Sequence, residues 1–150
     1  MLEIPTESRF EIKYVCDKVY YKSLINWIRL NKLNFTRAHP YRKINNAYFD
    51  NHLYDNYKSN IYGISSRAKF RLRWYDDLMP CDNSVFEIKY KRNTFGWKKK
   101  FLLKKPMIFF KSKWKDLIKT LNENLPKDLK LFFQSYSCPV IINSYLRDYF

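Results

Sequence analysis

The sequence predicts an α+β fold in which antiparallel strands dominate, and three observations carry that prediction. The segments Arg9-Phe-Glu11-Ile-Lys13, Lys69-Phe-Arg71-Leu-Arg73-Trp74 and Glu87-Ile-Lys89-Tyr-Lys91 put a charge on every second residue. That is the period with which a strand sends alternate side chains to opposite faces. The strand candidates between residues 67 and 103 are joined by turn-forming segments and not by crossover helices, as antiparallel neighbours allow. Two other stretches repeat their apolar residues at helical spacing instead.

Taken in order, residues 9–15 read as the first strand. Asp17 is a reasonable N-cap for a helix to about Leu33, with Tyr21, Leu24, Ile25, Trp27 and Ile28 on its apolar side. A basic connection through Arg37, His39, Arg42 and Lys43 leads to a second strand, Asn46-Ala-Tyr48-Phe49-Asp50. Asn51 to Asn60 is a tyrosine-punctuated turn or short helix. Strands 67–75 and 85–91 follow, and the loop from Asp76 to Ser84, with Pro80 and Asn83, makes an antiparallel hairpin of the pair. Asn93-Thr-Phe-Gly96 turns the chain into a strand from Trp97 to Leu103. Ser112 can cap a helix with Trp114, Leu117, Ile118 and Leu121 on one stripe. Pro126 opens a short helix through Phe133, Cys138-Pro139 stops it, and Val140 to Phe150 is the last strand. With no repeat and no linker, residues 1–150 read as one domain.

Composition bounds the function. Hydrophobic residues make up 46% and aromatic residues 19% of the chain, enough core material to exclude disorder despite the charge. Lys and Arg number 29 against 14 acids, a net charge of +15, so a polyanionic partner is the first expectation. Cys16, Cys81 and Cys138 are far apart and lack metal-ligand spacing, which implies neither a disulfide framework nor a zinc site. No leader pattern and no apolar run of membrane-spanning length is present, so the expected location is the cytoplasm.

Strand parity sharpens the charge argument. Arg9, Glu11 and Lys13 share a face, as do Lys69, Arg71 and Arg73, then Glu87, Lys89 and Lys91, then Lys98 and Lys100, then Tyr145 and Arg147. The opposite faces carry Phe10 and Ile12, Phe70 and Leu72, Phe86 and Ile88, which can pack beneath the two amphipathic helices. An open sheet would leave the basic face solvated. A curled one would crowd cations that repel by about 3 kcal/mol per pair at ~5 Å and an effective dielectric of 20. Glu11 and Glu87 can pair with neighbouring cations or hold a divalent metal. Arginine's planar fork binds phosphate oxygens bidentately, and lysine supplies a mobile point charge. The aromatics lie mostly on the apolar parity and form no stacking platform, so no specific nucleic-acid binding is expected.

Tyr48-Phe49-Asp50, Phe70-Arg71-Leu72-Arg73-Trp74-Tyr75, Val85-Phe86-Glu87-Ile88-Lys89 with the Lys-rich strand after it, and Pro139-Val140 leading to Tyr145-Leu146-Arg147 together resemble the VTC domain. This is the polyphosphate polymerase domain of the triphosphate tunnel metalloenzyme superfamily. The resemblance covers about residues 9–150. It implies an antiparallel β-barrel tunnel with helices packed outside, binding the triphosphate of ATP with manganese or magnesium and passing the γ-phosphate to a polyphosphate chain. By the same resemblance Arg71, Arg73 and Lys89 carry the transfer, while Lys13, Lys98 or Lys100, Tyr145 and Arg147 join them as phosphate ligands. The related CYTH branch has Glu-x-Glu-x-Lys near its N-terminus; Arg9-Phe-Glu11-Ile-Lys13 departs from it at the first position and favours the VTC branch. In the family the Tyr-x-Arg strand is followed by an Arg-x-Ser/Thr-x-Asp strand, a metal-binding glutamate strand and a closing basic strand. The sequence ends at Phe150, ahead of these, so an incomplete tunnel is expected, with a partner chain as one way to complete it.

Phosphoryl transfer asks mainly for positioning and charge stabilisation. A terminal phosphate used as acceptor is already anionic, so no general base is needed, and His39 and His52 are expected in loops. Three functions are compatible with these residues: polyphosphate synthesis from ATP, metal-dependent hydrolysis of a triphosphate, and binding of polyphosphate or nucleotide without turnover.

Overall fold

The computed structural model describes residues 4–76, 84–103 and 113–150. The expected loop features Pro80, Cys81 and Asn83 and the Ser112 cap lie outside the described residues. In chain order the elements are β1 (Arg9–Phe10), a 3-10 turn (Lys18–Tyr20), α1 (Tyr21–Leu30), β2 (His39–Asp50), α2 (Asp55–Ile61), β3 (Ser66–Tyr75), β4 (Val85–Arg92), β5 (Phe95–Leu102), α3 (Trp114–Asn124), α4 (Lys127–Ser135) and β6 (Cys138–Tyr149). The strands form one six-stranded sheet in the order β1-β5-β4-β3-β2-β6, antiparallel throughout. β1 and β6 are its two edges and do not pair with each other. The sheet is therefore open, and the described residues do not close a tunnel.

The alternation seen in the sequence becomes the two faces of this sheet. On one face Phe70 lies opposite Ile88 and Leu72 opposite Phe86, all fully or almost fully buried. Leu117 and Leu121, one helical turn apart on α3, join the same core. Phe133 of α4 wedges edge-on between Phe49, at 5.5 Å, and Phe86, at 5.1 Å, contacts that each add about 1 kcal/mol beyond their burial.

Several expectations need correction. The first strand is two residues long and not seven, because Phe10 pairs with Phe95, the first residue of β5, and residues beyond Phe10 have run past the end of their partner. The N-terminal helix stops at Leu30 and not Leu33. Asn31 is extended, and its side-chain oxygen accepts the Leu33 N–H at 3.0 Å, an Asx turn that competes with another helical turn. Asp17 flanks the 3-10 turn in extended conformation but makes no side-chain cap. α1 buries no residue and takes no part in the core, so α3 and α4 cover the apolar face, not α1 and α3. The second strand begins at His39, since the supposed basic connection pairs with the end of β6 through Arg42 opposite Arg147 and Ile44 opposite Tyr145. His39 is thus a strand residue, whereas His52 does lie in a turn. Among the described residues no helix is long and apolar enough to cross a membrane.

Candidate functional site

Residues directly opposite one another in antiparallel strands project to the same face, and the register stacks the polar residues into cross-strand rows. Tyr48, Arg71, Glu87 and Lys100 form one row across β2, β3, β4 and β5. Lys69, Lys89 and Lys98 form the next. On the other side of the first row lie Asn143, Asn46 and Arg73. Lys98 and Lys100 of β5 therefore share this face, with Lys98 opposite Lys89 and Lys100 opposite Glu87, whereas Lys99 pairs with Ile88 and has the other parity.

Glu87 is the hub. Its side chain is 3% exposed, and its Oε2 accepts a hydrogen bond from Arg71 Nε at 2.7 Å. Arg73 Nη1 lies 3.9 Å from the same oxygen, and Lys98 Nζ lies 3.8 Å from Oε1. Burial alone would raise the Glu87 pKa, but the Arg71 and Arg73 charges, the Arg71 hydrogen bond and Lys98 outweigh it and hold the carboxyl below its ordinary range. Arg71 also donates to the Tyr48 hydroxyl at 3.4 Å. Arg73 is fixed from the other side: its Nε donates to Asn46 Oδ1 at 2.9 Å and its Nη2 to the Tyr145 hydroxyl at 3.3 Å. Asn46 in turn donates to Asn143 Oδ1 at 2.9 Å.

The segment after β1 crosses this face. Glu11 accepts a hydrogen bond from Lys89 Nζ at 2.7 Å, which lowers its pKa more than any other influence does. Lys13 lies 3.8 Å from Glu11 and is mostly exposed. By Tyr21 the chain has reached the far edge, where the phenol donates to Asp148 Oδ2 on β6 at 3.2 Å. Lys69 lies on the same face with no ion pair among the described residues. Its pKa is lowered, first by desolvation and then by Lys13, Lys89, Arg67 and Arg71 around it. Lys98 is lowered too, chiefly by desolvation. A cavity of about 300 Å³ opens beside this face, lined by Tyr48, Asn60, Lys69 and Asn143 among others.

Of the residues the sequence singled out, Arg71, Arg73, Lys89, Lys98, Lys100 and Tyr145 share one face. Lys13 reaches it from the crossing segment. Arg147 lies farther along β6, opposite Arg42. The sequence reading placed Lys69 on the basic face without making it a phosphate ligand, and named no role for Asn46, Tyr48 or Asn143. All four share the parity of the basic residues, but three are uncharged and so invisible to a charge alternation. Both Glu11 and Glu87 are engaged by cations, and among the described residues no three His, Cys, Asp or Glu side chains gather as metal ligands. Among the described residues, then, both carboxylates of this face are committed to ion pairs.

The whole arrangement is a face with more cations than its two carboxylates neutralise, suited to receiving several phosphate oxygens at once. A search among curated proteins finds no match. A family model, the VTC domain, matches residues 8–150.

Proposed function

The chain belongs to the VTC domain family, and on that premise we propose that its cationic face binds the triphosphate of ATP and inorganic polyphosphate and passes the γ-phosphoryl group between them. The observation that carries this reading is the convergence of Arg71, Arg73 and Lys98 on the buried Glu87, with Lys69 and Lys89 in the adjoining row. Glu87 spreads the two guanidiniums at fixed positions, and the surplus charge is left for an anion.

In the transfer, a terminal oxygen of the polyphosphate chain attacks the γ-phosphorus, the bond from that phosphorus to the bridging oxygen breaks, and ADP leaves with the bonding electrons. The acceptor oxygen is already ionised, so no side chain needs to take a proton. Arg71 and Arg73 orient the non-bridging oxygens, while Lys89, Lys98 and Lys100 offset the charge developing on the leaving phosphate. Lys13, Tyr145 and Arg147 extend the same surface. Manganese or magnesium would arrive on the triphosphate, since Glu11 and Glu87 are already paired.

The open sheet and those committed carboxylates favour a second reading, binding of polyphosphate without turnover. Incubating the purified protein with ATP labelled at the γ-position and manganese separates the two. Labelled polymer is the expected product. Free labelled phosphate would indicate hydrolysis, and salt-sensitive binding with neither product would establish the second reading.

A further inference from the structure

Away from Glu87, two cations face each other with no acid paired to either among the described residues. Arg42 of β2 lies directly opposite Arg147 of β6, an arrangement that is destabilising for like charges. The Arg42 guanidinium is held between two rings, 4.4 Å from the Tyr75 centroid and 5.1 Å from that of Tyr149, and Arg147 packs on Tyr149 at 5.3 Å. Arg42 Nε is buried and has no hydrogen-bond partner. The nearest acid along the strand, Asp148, has the opposite parity and is taken by Arg37 and Tyr21, each at 3.2 Å. Two guanidinium forks, with no carboxylate partner among the described residues and with aromatic rings at their sides, can receive a phosphate group.

The register places this pair on the same face as the Glu87 cluster. Arg42 shares the parity of Asn46 and Tyr48, with Ile44 and Tyr145 between. At about 3.3 Å per residue, Arg42 lies about 13 Å from the Arg73 row and about 20 Å from the Arg71 row. A triphosphate anchored at Arg71 cannot cover that distance, whereas a longer linear phosphate chain lying along the strands can.

We propose that Arg42, with Arg147 opposite, is a distal clamp that grips the far part of a polyphosphate whose end is held at Arg71 and Arg73. This rests on the phosphate-binding reading above, and it adds a residue and a dependence on chain length that the reading does not require. Its test is the affinity of the wild-type protein and the Arg42→Gln variant for tripolyphosphate and for long-chain polyphosphate, by calorimetry at one salt concentration. The expected result is that Arg42→Gln binds long chains roughly tenfold more weakly, the worth of one charge-assisted contact, and binds tripolyphosphate as the wild type does. Equal losses for both ligands, or no loss for either, would overturn the clamp while leaving the main site standing. A wild type that binds neither ligand would end both. Because Arg42 also supports two tyrosines, thermal melts accompany each variant. Arg42→Lys, which keeps the charge and loses the fork, is judged by the same comparison if Arg42→Gln does not fold.

Discussion

A carboxylate as buried as that of Glu87 stays ionised only because donors surround it, and this couples the site to the fold. The sequence alone would let Arg71 be removed with no effect but lost phosphate binding. The Arg71 contact with Glu87 changes that expectation, since breaking a buried pair leaves a charge uncompensated. Arg71→Ala is expected to weaken tripolyphosphate binding and also to destabilise the protein by about 3 kcal/mol, read from urea denaturation. Arg71→Ala combined with Glu87→Gln is expected to recover part of that stability and none of the binding. Acid has a related effect. The folded pKa values of Glu87 and Glu11 both lie below the ordinary 4.5, so the stability they contribute is complete above the unfolded carboxylate pKa and lost as pH falls through the lower folded values. Urea midpoints measured from neutral pH down through the carboxylate range are expected to fall, with a shallower slope in Glu87→Gln. Alternation made the charged members of the site legible. Asn46 and Asn143, which aim Arg73, were not legible because nothing distinguishes a bridging amide from a solvated one until the register is known.

At the scale of elements, α2 shows that part of the motif carrying the family resemblance is structural. Asp50, third in Tyr48-Phe49-Asp50, is 2% exposed and accepts backbone N–H groups from Asn51, Asn56 and Tyr57 at 2.9, 3.0 and 2.9 Å. Asn51 Oδ1 adds the Asp55 N–H at 3.0 Å. Together they satisfy donors that the first turn of a helix leaves open. Asp50→Ala is expected to cost about 1–2 kcal/mol and to speed hydrogen exchange selectively at the Asn56 and Tyr57 amides, with phosphate affinity little changed in the folded fraction. Most elements were legible in kind, because hydrophobic period separates strands from helices. Their limits were less so: β2 reaches back to His39 because β6 offers it a partner, and a partner strand is information the local sequence does not hold. α1 makes the same point, since its periodicity shows an apolar side and cannot show that the core is filled from α3 and α4.

For the whole molecule, strand parity and the excess of 29 basic over 14 acidic residues together indicated a sheet with one greasy and one cationic face, and that is the architecture found. Closure was not legible, because alternation assigns side chains to faces and says nothing about whether two edge strands meet. The charge surplus makes binding a property of the full face and not of one contact. Affinity for polyphosphate is therefore expected to drop steeply between low and physiological sodium chloride, while any contact with the uncharged part of a nucleotide is insensitive to salt. The Lys69, Lys89 and Lys98 row has a consequence for how the protein behaves without its ligand. Lys89 and Lys98 lean on Glu11 and Glu87, but Lys69 stands among Lys13, Lys89, Arg67 and Arg71 with no acid paired to it among the described residues, so a bound polyanion would relieve a repulsion within the structure itself. Melting temperature is then expected to climb with added tripolyphosphate even in a variant that transfers nothing, and preparations from cells are expected to hold on to phosphate polymers until high salt strips them.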